Sequence, residues 1–419
     1  MLQGWEKLKA EDRRKILDGV RDNTVYTGPF HVEFSPTDAC NYECFFCSSG
    51  FVDRSKRLPW DRLRATLLEL IAMGLRAVRL SGGGEPLIYP QIEEFLDILL
   101  ERRIDVSNVT TNAYRLTPPV LDRLLRLDTS EIIVSFNDVD PERYATTNGT
   151  SRRAFDVVVE NVRRLIEERD RRGLVRPRVF LQFMLWKGNH DAIERAYDLA
   201  ESLRVDYLYL RDLFGIDPAR RMSPAEREVA GAAVRRLVER DRPFGRLVLD
   251  FKNEKILPEH LTFGEQRRAF RHGEAPNGHG DPDRAEYCYV AWYSTVIWGS
   301  GDVFPCCMLA TWEGYPPLGN ILREDIGSIW AGPAYATLRD ELREIALSGG
   351  RYQSRGPCVW TKEACAMKHA CPVVAGLATP EFYAEALAEL RAVRRRPSRW
   401  AERAAAALMQ RRPWIGVAP

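Results

Sequence analysis

Residues 31–47 read HVEFSPTDACNYECFFC. The segment 31–35 is a short run with apolar positions at Val32 and Phe34, the pattern of a buried strand. Directly behind it come Cys40, Cys44 and Cys47, a C-x3-C-x2-C run on a tight loop. Working outward, further strand-like runs occur at 76–81, 105–110, 131–136, 178–185 and 206–211, and helical stretches separate them. Residues 60–73 carry Leu63, Leu67, Leu70 and Ile71 at spacings of three and four, with Gly74 as a stop. Helices are also read at 151–172, starting from Ser151, and at 189–203, with Asn189 as its cap. Six strand-then-helix units predict a parallel sheet with helical crossovers. Six units cannot close an eightfold barrel, so the fold class is α/β, an open partial (β/α)6 barrel of TIM type. Chemistry in such folds gathers at the C-terminal ends of the strands, which is where the three cysteines sit.

Three thiolates this close can converge on one small inorganic core. Iron–sulfur clusters usually take four cysteines, so three leave one iron open. A structural zinc site is the other reading, and it needs a fourth ligand nearby. His31 is the one close candidate, and it falls inside the strand, where a core or rim histidine is the simpler account.

Composition narrows the class. The chain has 419 residues, 45% hydrophobic and 29% charged, with a formal net charge of +2. That balance fits a globular protein and gives no electrostatic reason to expect nucleic acid. Arginines cluster late (Arg391, Arg394, Arg395, Arg396, Arg411, Arg412), which reads as a solvated helix face. The first residues are charged and amphipathic, unlike a signal peptide. No stretch approaches the roughly 18–20 apolar residues of a membrane span. A cytoplasmic protein without membrane contact is expected, and cytosolic thiols stay reduced. Of nine cysteines, three lie at 40–47 and six between 288 and 371, a clustering that points to metal or catalysis.

A C-x3-C-x2-C run after the first strand of a partial barrel resembles the radical S-adenosylmethionine (SAM) superfamily. Phe46 fills the aromatic place before the third cysteine. The resemblance implies a site-differentiated [4Fe–4S] cluster on Cys40, Cys44 and Cys47. Its open iron would chelate SAM, whose reductive cleavage gives a 5′-deoxyadenosyl radical; the cofactor carries the hard chemistry. Ser81-Gly82-Gly83-Gly84-Glu85-Pro86 follows the second strand. By itself a glycine run is a turn signal. In this place it looks like the family's GGEP motif, where Gly82, Gly83, Gly84, Glu85 and Pro86 shape the SAM site. Thr110, Thr111 and Asn112 end strand three, and Ser135 and Asn137 end strand four. They are similar to family positions lining SAM, and strand-end caps are the alternative. Gln182 in strand five is of the same kind.

The second cysteine group has its own pattern. Cys288 and Cys306, with 17 residues between them, bracket a hairpin signature: an aromatic and β-branched run from Trp292 to Trp298, a Gly299-Ser300-Gly301-Asp302 turn, then Val303-Phe304. Leu318-Gly319-Asn320-Ile321 and Ser328-Ile329-Trp330 follow, then Cys358, Cys365 and Cys371. This region resembles the SPASM and twitch auxiliary-cluster domains. It departs from the full SPASM pattern: Cys358 lies seven positions before Cys365, and position 375 is Ala. The resemblance therefore implies one auxiliary [4Fe–4S] cluster on Cys288, Cys306 and two or three of Cys358, Cys365 and Cys371. His369 is either a substitute ligand or a loop histidine. Cys307 is either a buried thiol on the opposite strand face or a hydrogen donor to a substrate radical, as in radical epimerases.

The expected organisation is an N-terminal helical segment (1–28), the partial barrel (29–215), a helical connector and linker (216–284), a small α+β auxiliary-cluster domain (285–378) and C-terminal helices (379–419). Ser223-Pro224-Ala225-Glu226 is a capping box that launches the connector helix to about 240. The expected function is a radical SAM oxidoreductase, dehydrogenating or epimerising a sugar or aminocyclitol in natural-product biosynthesis. The reduced cysteine count, similar to the aminocyclitol dehydrogenase branch, favours it. The alternative is a maturase acting on a ribosomally made peptide. An external donor such as flavodoxin or ferredoxin is implied. A non-catalytic electron carrier would make the SAM motifs superfluous.

Overall fold

A computed structural model describes residues 9–213, 220–250, 289–311 and 314–347, with positions 385 and 388. Cys288, Cys358, Cys365, Cys371 and His369 lie outside the described residues, as do the end of the connector and linker (251–284) and, apart from positions 385 and 388, the expected C-terminal helices (379–419).

The first strands are β1 (His31–Phe34), β2 (Ala77–Leu80), β3 (Asp105–Thr111), β4 (Glu131–Ser135), β5 (Arg178–Leu185) and β6 (Tyr207–Asp212). They pair in parallel in that order. The crossovers carry α1 (Ala10–Asp22) before β1, then α2 (Trp60–Ala72), α3 (Ile92–Arg102), α4 (Pro118–Arg126), α5 (Pro141–Asn148), α6 (Arg152–Arg171) and α7 (Ile193–Ser202). In α2 the leucine stripe Leu63, Leu67 and Leu70 is fully buried, and Gly74 takes the left-handed φ of +109° that releases the chain toward β2. The helices cover one face of the sheet. Phe34 meets Phe95 of α3 edge-on at 5.5 Å, so Phe34 points to the helical layer. Its neighbours His31, Glu33 and Ser35 then face the other, concave side, because strand side chains alternate.

Two features extend the sheet beyond six strands. The capping box forms as expected: Glu226 N–H donates to Ser223 Oγ at 3.3 Å and Ser223 N–H to Glu226 Oε2 at 2.7 Å. It starts α8 (Pro224–Asp241), and this helix returns the chain to β7 (Leu247–Asp250), a seventh parallel strand beside β6. At the other edge β8 (Ser294–Ile297) pairs in parallel with β1, and β9 (Asp302–Phe304) turns back against β8. The hairpin behind Cys288 is therefore continuous with the barrel sheet. With β10 (Gly319–Asn320) the order is β10-β9-β8-β1-β2-β3-β4-β5-β6-β7, and among the described residues no pairing closes it.

Short helices follow: α9 (Cys307–Ala310), α10 (Ile326–Ala331) and α11 (Pro333–Leu347). Arg339 of α11 is 2% exposed and holds this module on the core. It donates to Ala291 O at 2.9 Å and Trp330 O at 2.8 Å, and lies over the Trp330 and Tyr335 rings. Trp330 Nε1 in turn donates to Thr27 O at 2.9 Å, tying the module to the approach to β1.

Two local expectations need correction. Asn189 is not a helix cap; α7 starts at Ile193 behind Ala192. Asn189 is buried because its amide satisfies three backbone groups at the ends of β4 and β5: Oδ1 accepts from Trp186 N–H, and Nδ2 donates to Asn137 O and Met184 O. Cys307 is not on a strand; Pro305 ends β9 and Cys307 is the first residue of α9.

Candidate active site

Cys40, Cys44 and Cys47 are half-buried free thiols on the loop that leaves β1. Four neighbours fix the loop. Asn112 at the end of β3 donates from Nδ2 to Asn41 Oδ1 at 2.9 Å. The end of α5 supplies Asn148, whose carbonyl accepts from Glu43 N–H and, at 3.4 Å, from the Cys44 thiol. Gly149 follows with φ +57°, so close that an added Cβ would sit 2.2 Å from Glu43 O. Arg54 donates to Cys47 Sγ at 3.4 Å.

Burial pushes the Cys40 thiol up to about 11. Burial, then charge on Cys40 and Cys47, pushes Cys44 well above the usual thiol range. Close, desolvated thiols ionise only against a compensating cationic core. Three clustered thiols fit the cationic iron–sulfur core that such ligands usually hold. His31 takes no part: it is buried between Ser294 Oγ and Ser107 Oγ, and burial, with Arg79 nearby, lowers it to about 3, so it is neutral.

The glycine run packs beneath this loop. A Cβ on Gly84 would lie 2.1 Å from Ala39 O, and one on Gly83 would lie 2.6 Å from Asp38 Oδ1. Gly82 has φ +122°. Glu85 is fully buried and points back into the protein, accepting from Thr111 Oγ1, Asn112 N–H and Leu87 N–H. Pro86 opens the following turn. Thr111 and Glu85 therefore engage each other, and what they can offer a ligand is loop shape. Ser135 and Gln182 are register partners on β4 and β5, half-buried on the concave side. Asn137, at φ +66°, donates to Asn148 Oδ1 at 2.9 Å and so joins the network behind Cys44. Phe46 packs edge-on against Phe45, which meets Trp186 and lies under Arg220.

Of the second cysteine group, Cys306 and Cys307 are half-buried beside the β9 end and pack on the main core. Cys307 also meets a small cluster of Val296, Trp298, Phe304 and Ala310. Sequence reading missed Asp38, Arg54, Asn148 and the Glu33–Arg79 ion pair on the concave face. Asp38 and Arg54 stand two residues before and seven after the cysteine run, a placement that only the folded loop makes meaningful.

Residues 34–200 match the radical SAM superfamily, and residues 288–358 match the SPASM iron–sulfur cluster-binding domain. The chain carries a radical SAM domain followed by an SPASM domain. This organisation brings SAM, a SAM-binding [4Fe–4S] cluster and an auxiliary cluster as cofactors. The chain is 29% identical over 178 residues to a probable GTP 3′,8-cyclase of Sulfolobus acidocaldarius, covering 42% of this chain and 54% of that protein. It is 31% identical over 144 residues to the GTP 3′,8-cyclase of Mannheimia succiniciproducens, covering 33% and 41%. The chain thus spans about half the length of the curated relatives it matches. Among solved structures, Streptococcus suis SuiB bound to precursor peptide SuiA aligns at TM-score 0.55 and 16% identity over 83% of this chain and 74% of that one. anSMEcpe with bound AdoMet aligns at 0.53 and 13% over 86% and 92%. These likenesses are to the fold. No described helix is long and apolar enough to cross a membrane.

Proposed function

We propose that this radical SAM protein is an oxidoreductase that removes hydrogen from an unactivated C–H bond of a sugar or aminocyclitol, with dehydrogenation or epimerisation as the outcome. Cys40, Cys44 and Cys47 would hold the SAM-binding cluster, and Cys288, Cys306 and two or three of Cys358, Cys365 and Cys371 the auxiliary one. Bound SAM and its cluster supply the hydrogen-abstracting radical. The chain supplies position.

The observation that carries the substrate reading is the buried ion pair on the concave face. Arg79 Nη1 lies 3.1 Å from Glu33 Oε2, with side chains 13% and 6% exposed. Arg79 also reaches Thr110 Oγ1 at 3.5 Å, and Thr110 donates to Asn108 Oδ1 at 3.0 Å. The Asn108 Nδ2 is buried with no hydrogen-bond partner. Ser135 and Gln182 continue this polar layer. A carboxylate, a guanidinium, hydroxyls and an orphan amide donor in one desolvated layer suit a ligand dense in hydroxyl and amino groups. An apolar substrate would leave the buried Asn108 amide without a partner.

A peptide substrate is the second reading. It is favoured by the fold likeness to SuiB in complex with its precursor peptide. The GTP chemistry of the cyclases belongs to proteins of which this chain covers only 54% and 41%.

The test is SAM cleavage by anaerobically reconstituted protein with dithionite. Aminocyclitols and sugars should stimulate 5′-deoxyadenosine release and be consumed one for one. Stimulation only by short peptides would replace the first reading with the second.

A further inference from the structure

The cluster loop and the auxiliary hairpin meet at one residue. Asp38 is 1% exposed, and its two carboxylate oxygens accept the Gly299 and Ser300 N–H groups, each at 3.0 Å. These two residues form the tip of the β8–β9 hairpin, which leads to Cys306. The fit leaves no slack: a Cβ on Gly299 would lie 2.4 Å from Asp38 N. A second contact runs in parallel. Phe51, just past Cys47, meets the Trp298 ring at 6.2 Å, and Val52 packs on Val296, Trp298, Phe304 and Ala310.

Arg54 completes the path from the hairpin to the thiol. Its Nη1 donates to the main-chain carbonyls of Asp38, at 3.0 Å, and Gly83. Its Nη2 donates to Ser49 O at 3.2 Å and to Cys47 Sγ at 3.4 Å. One guanidinium therefore joins the Asp38 backbone, the glycine run and the third cysteine. Its placement depends on where Asp38 sits, and Asp38 is gripped by the hairpin.

We infer that Arg54, anchored through Asp38 to the auxiliary hairpin, is a positioning residue that sets the electron affinity of the cluster at Cys47. The inference rests on the radical SAM reading of the three cysteines. Arginine is always charged. Net charge and hydrogen bonds to the sulfurs are the levers on an iron–sulfur potential. A fixed positive charge beside the thiolate stabilises the reduced cluster and raises its potential. The hairpin would thereby adjust the first cluster as well as carry ligands for the second.

The test is a potentiometric titration of the full-length, reconstituted protein, followed by EPR. The SAM-binding cluster is recognised by the change in its signal when SAM is added, and the auxiliary signal serves as the internal control. Arg54→Gln should move the SAM-sensitive signal to a more negative potential and leave the other in place. Arg54→Lys, which keeps the charge, should return it close to wild type. Gly299→Ala changes no charge and pushes the hairpin tip off Asp38, because its Cβ would lie 2.4 Å from Asp38 N. It should give a smaller shift in the same direction. A wild-type potential in Arg54→Gln overturns the inference. If Arg54→Gln fails to take up its cluster, a wild-type potential in Gly299→Ala overturns it. A wild-type protein with full iron and no SAM-sensitive signal overturns the radical SAM reading itself, and this inference with it.

Discussion

Glu85 Oε1 accepts the Thr111 hydroxyl at 2.6 Å, and its second oxygen accepts Asn112 N–H at 2.7 Å. This contact joins the glycine-run loop to the end of β3, and through Asn112 to Asn41 in the cysteine loop. It also carries a pH dependence. Burial raises Glu85 from the ordinary 4.5 to about 7, against the lowering effect of its three donors. The folded protein then binds more protons than the unfolded one between these values, so stability falls as pH rises from 4.5 to about 7 and levels off above. The effect is at most on the order of 3 kcal/mol. Urea unfolding of the cluster-free protein at pH 5 and pH 7 should show it, and Glu85→Gln should flatten the slope. An equal slope in both proteins removes Glu85 as its source.

Gly84→Ala should damage the cysteine loop. The new Cβ would meet backbone from Thr37, Asp38 and Ala39, and none of it can rotate away. The expected loss is roughly 1–3 kcal/mol, with less iron incorporated on reconstitution. Gly173→Ala, at φ +67° with nothing within 4 Å, should cost about 1 kcal/mol and leave iron content unchanged. Equal iron loss in both variants would contradict a specific role for Gly84.

The Glu33–Arg79 pair separates fold from function. Glu33→Ala strands a desolvated guanidinium and should destabilise by about 3–5 kcal/mol. The double change Glu33→Met with Arg79→Met removes both charges and should fold with near wild-type stability. If the pair binds substrate, that double variant still cleaves SAM slowly but no longer responds to the substrate. Substrate stimulation at wild-type level would assign the pair to structure alone.

Much of this was readable from the chain. The six β/α units appear where leucine stripes and strand runs place them, and the hairpin forms around Gly299–Asp302. What could not be read is long-range. The pairing of β8 with β1 depends on edge complementarity between segments some 260 residues apart. Asn189 carries the composition of a helix cap, yet its amide is used by a turn. Arg54 has no local signal, because its partners meet only when the cysteine loop folds back on itself and against Gly83. Glu33 and Arg79 sit in apolar strand patterns that conceal an inward-facing pair.

Cys307 makes a stereochemical prediction. As a hydrogen donor it would pass a solvent-exchanged hydrogen to the substrate radical, so product made in D2O would carry deuterium at the reacting carbon. Cys307→Ala should abolish that label while 5′-deoxyadenosine is still formed. Full label in the variant would remove the role.

The central claim is that Cys40, Cys44 and Cys47 hold the cluster that cleaves SAM. The most direct measurement compares wild type with the Cys40→Ala/Cys44→Ala/Cys47→Ala variant, counting iron and sulfide and assaying 5′-deoxyadenosine with SAM and dithionite. The account predicts about eight irons falling to about four, with deoxyadenosine made only by the wild type. Deoxyadenosine from the triple variant, or a fully loaded wild type that makes none with any sugar, aminocyclitol or peptide tried, would contradict it.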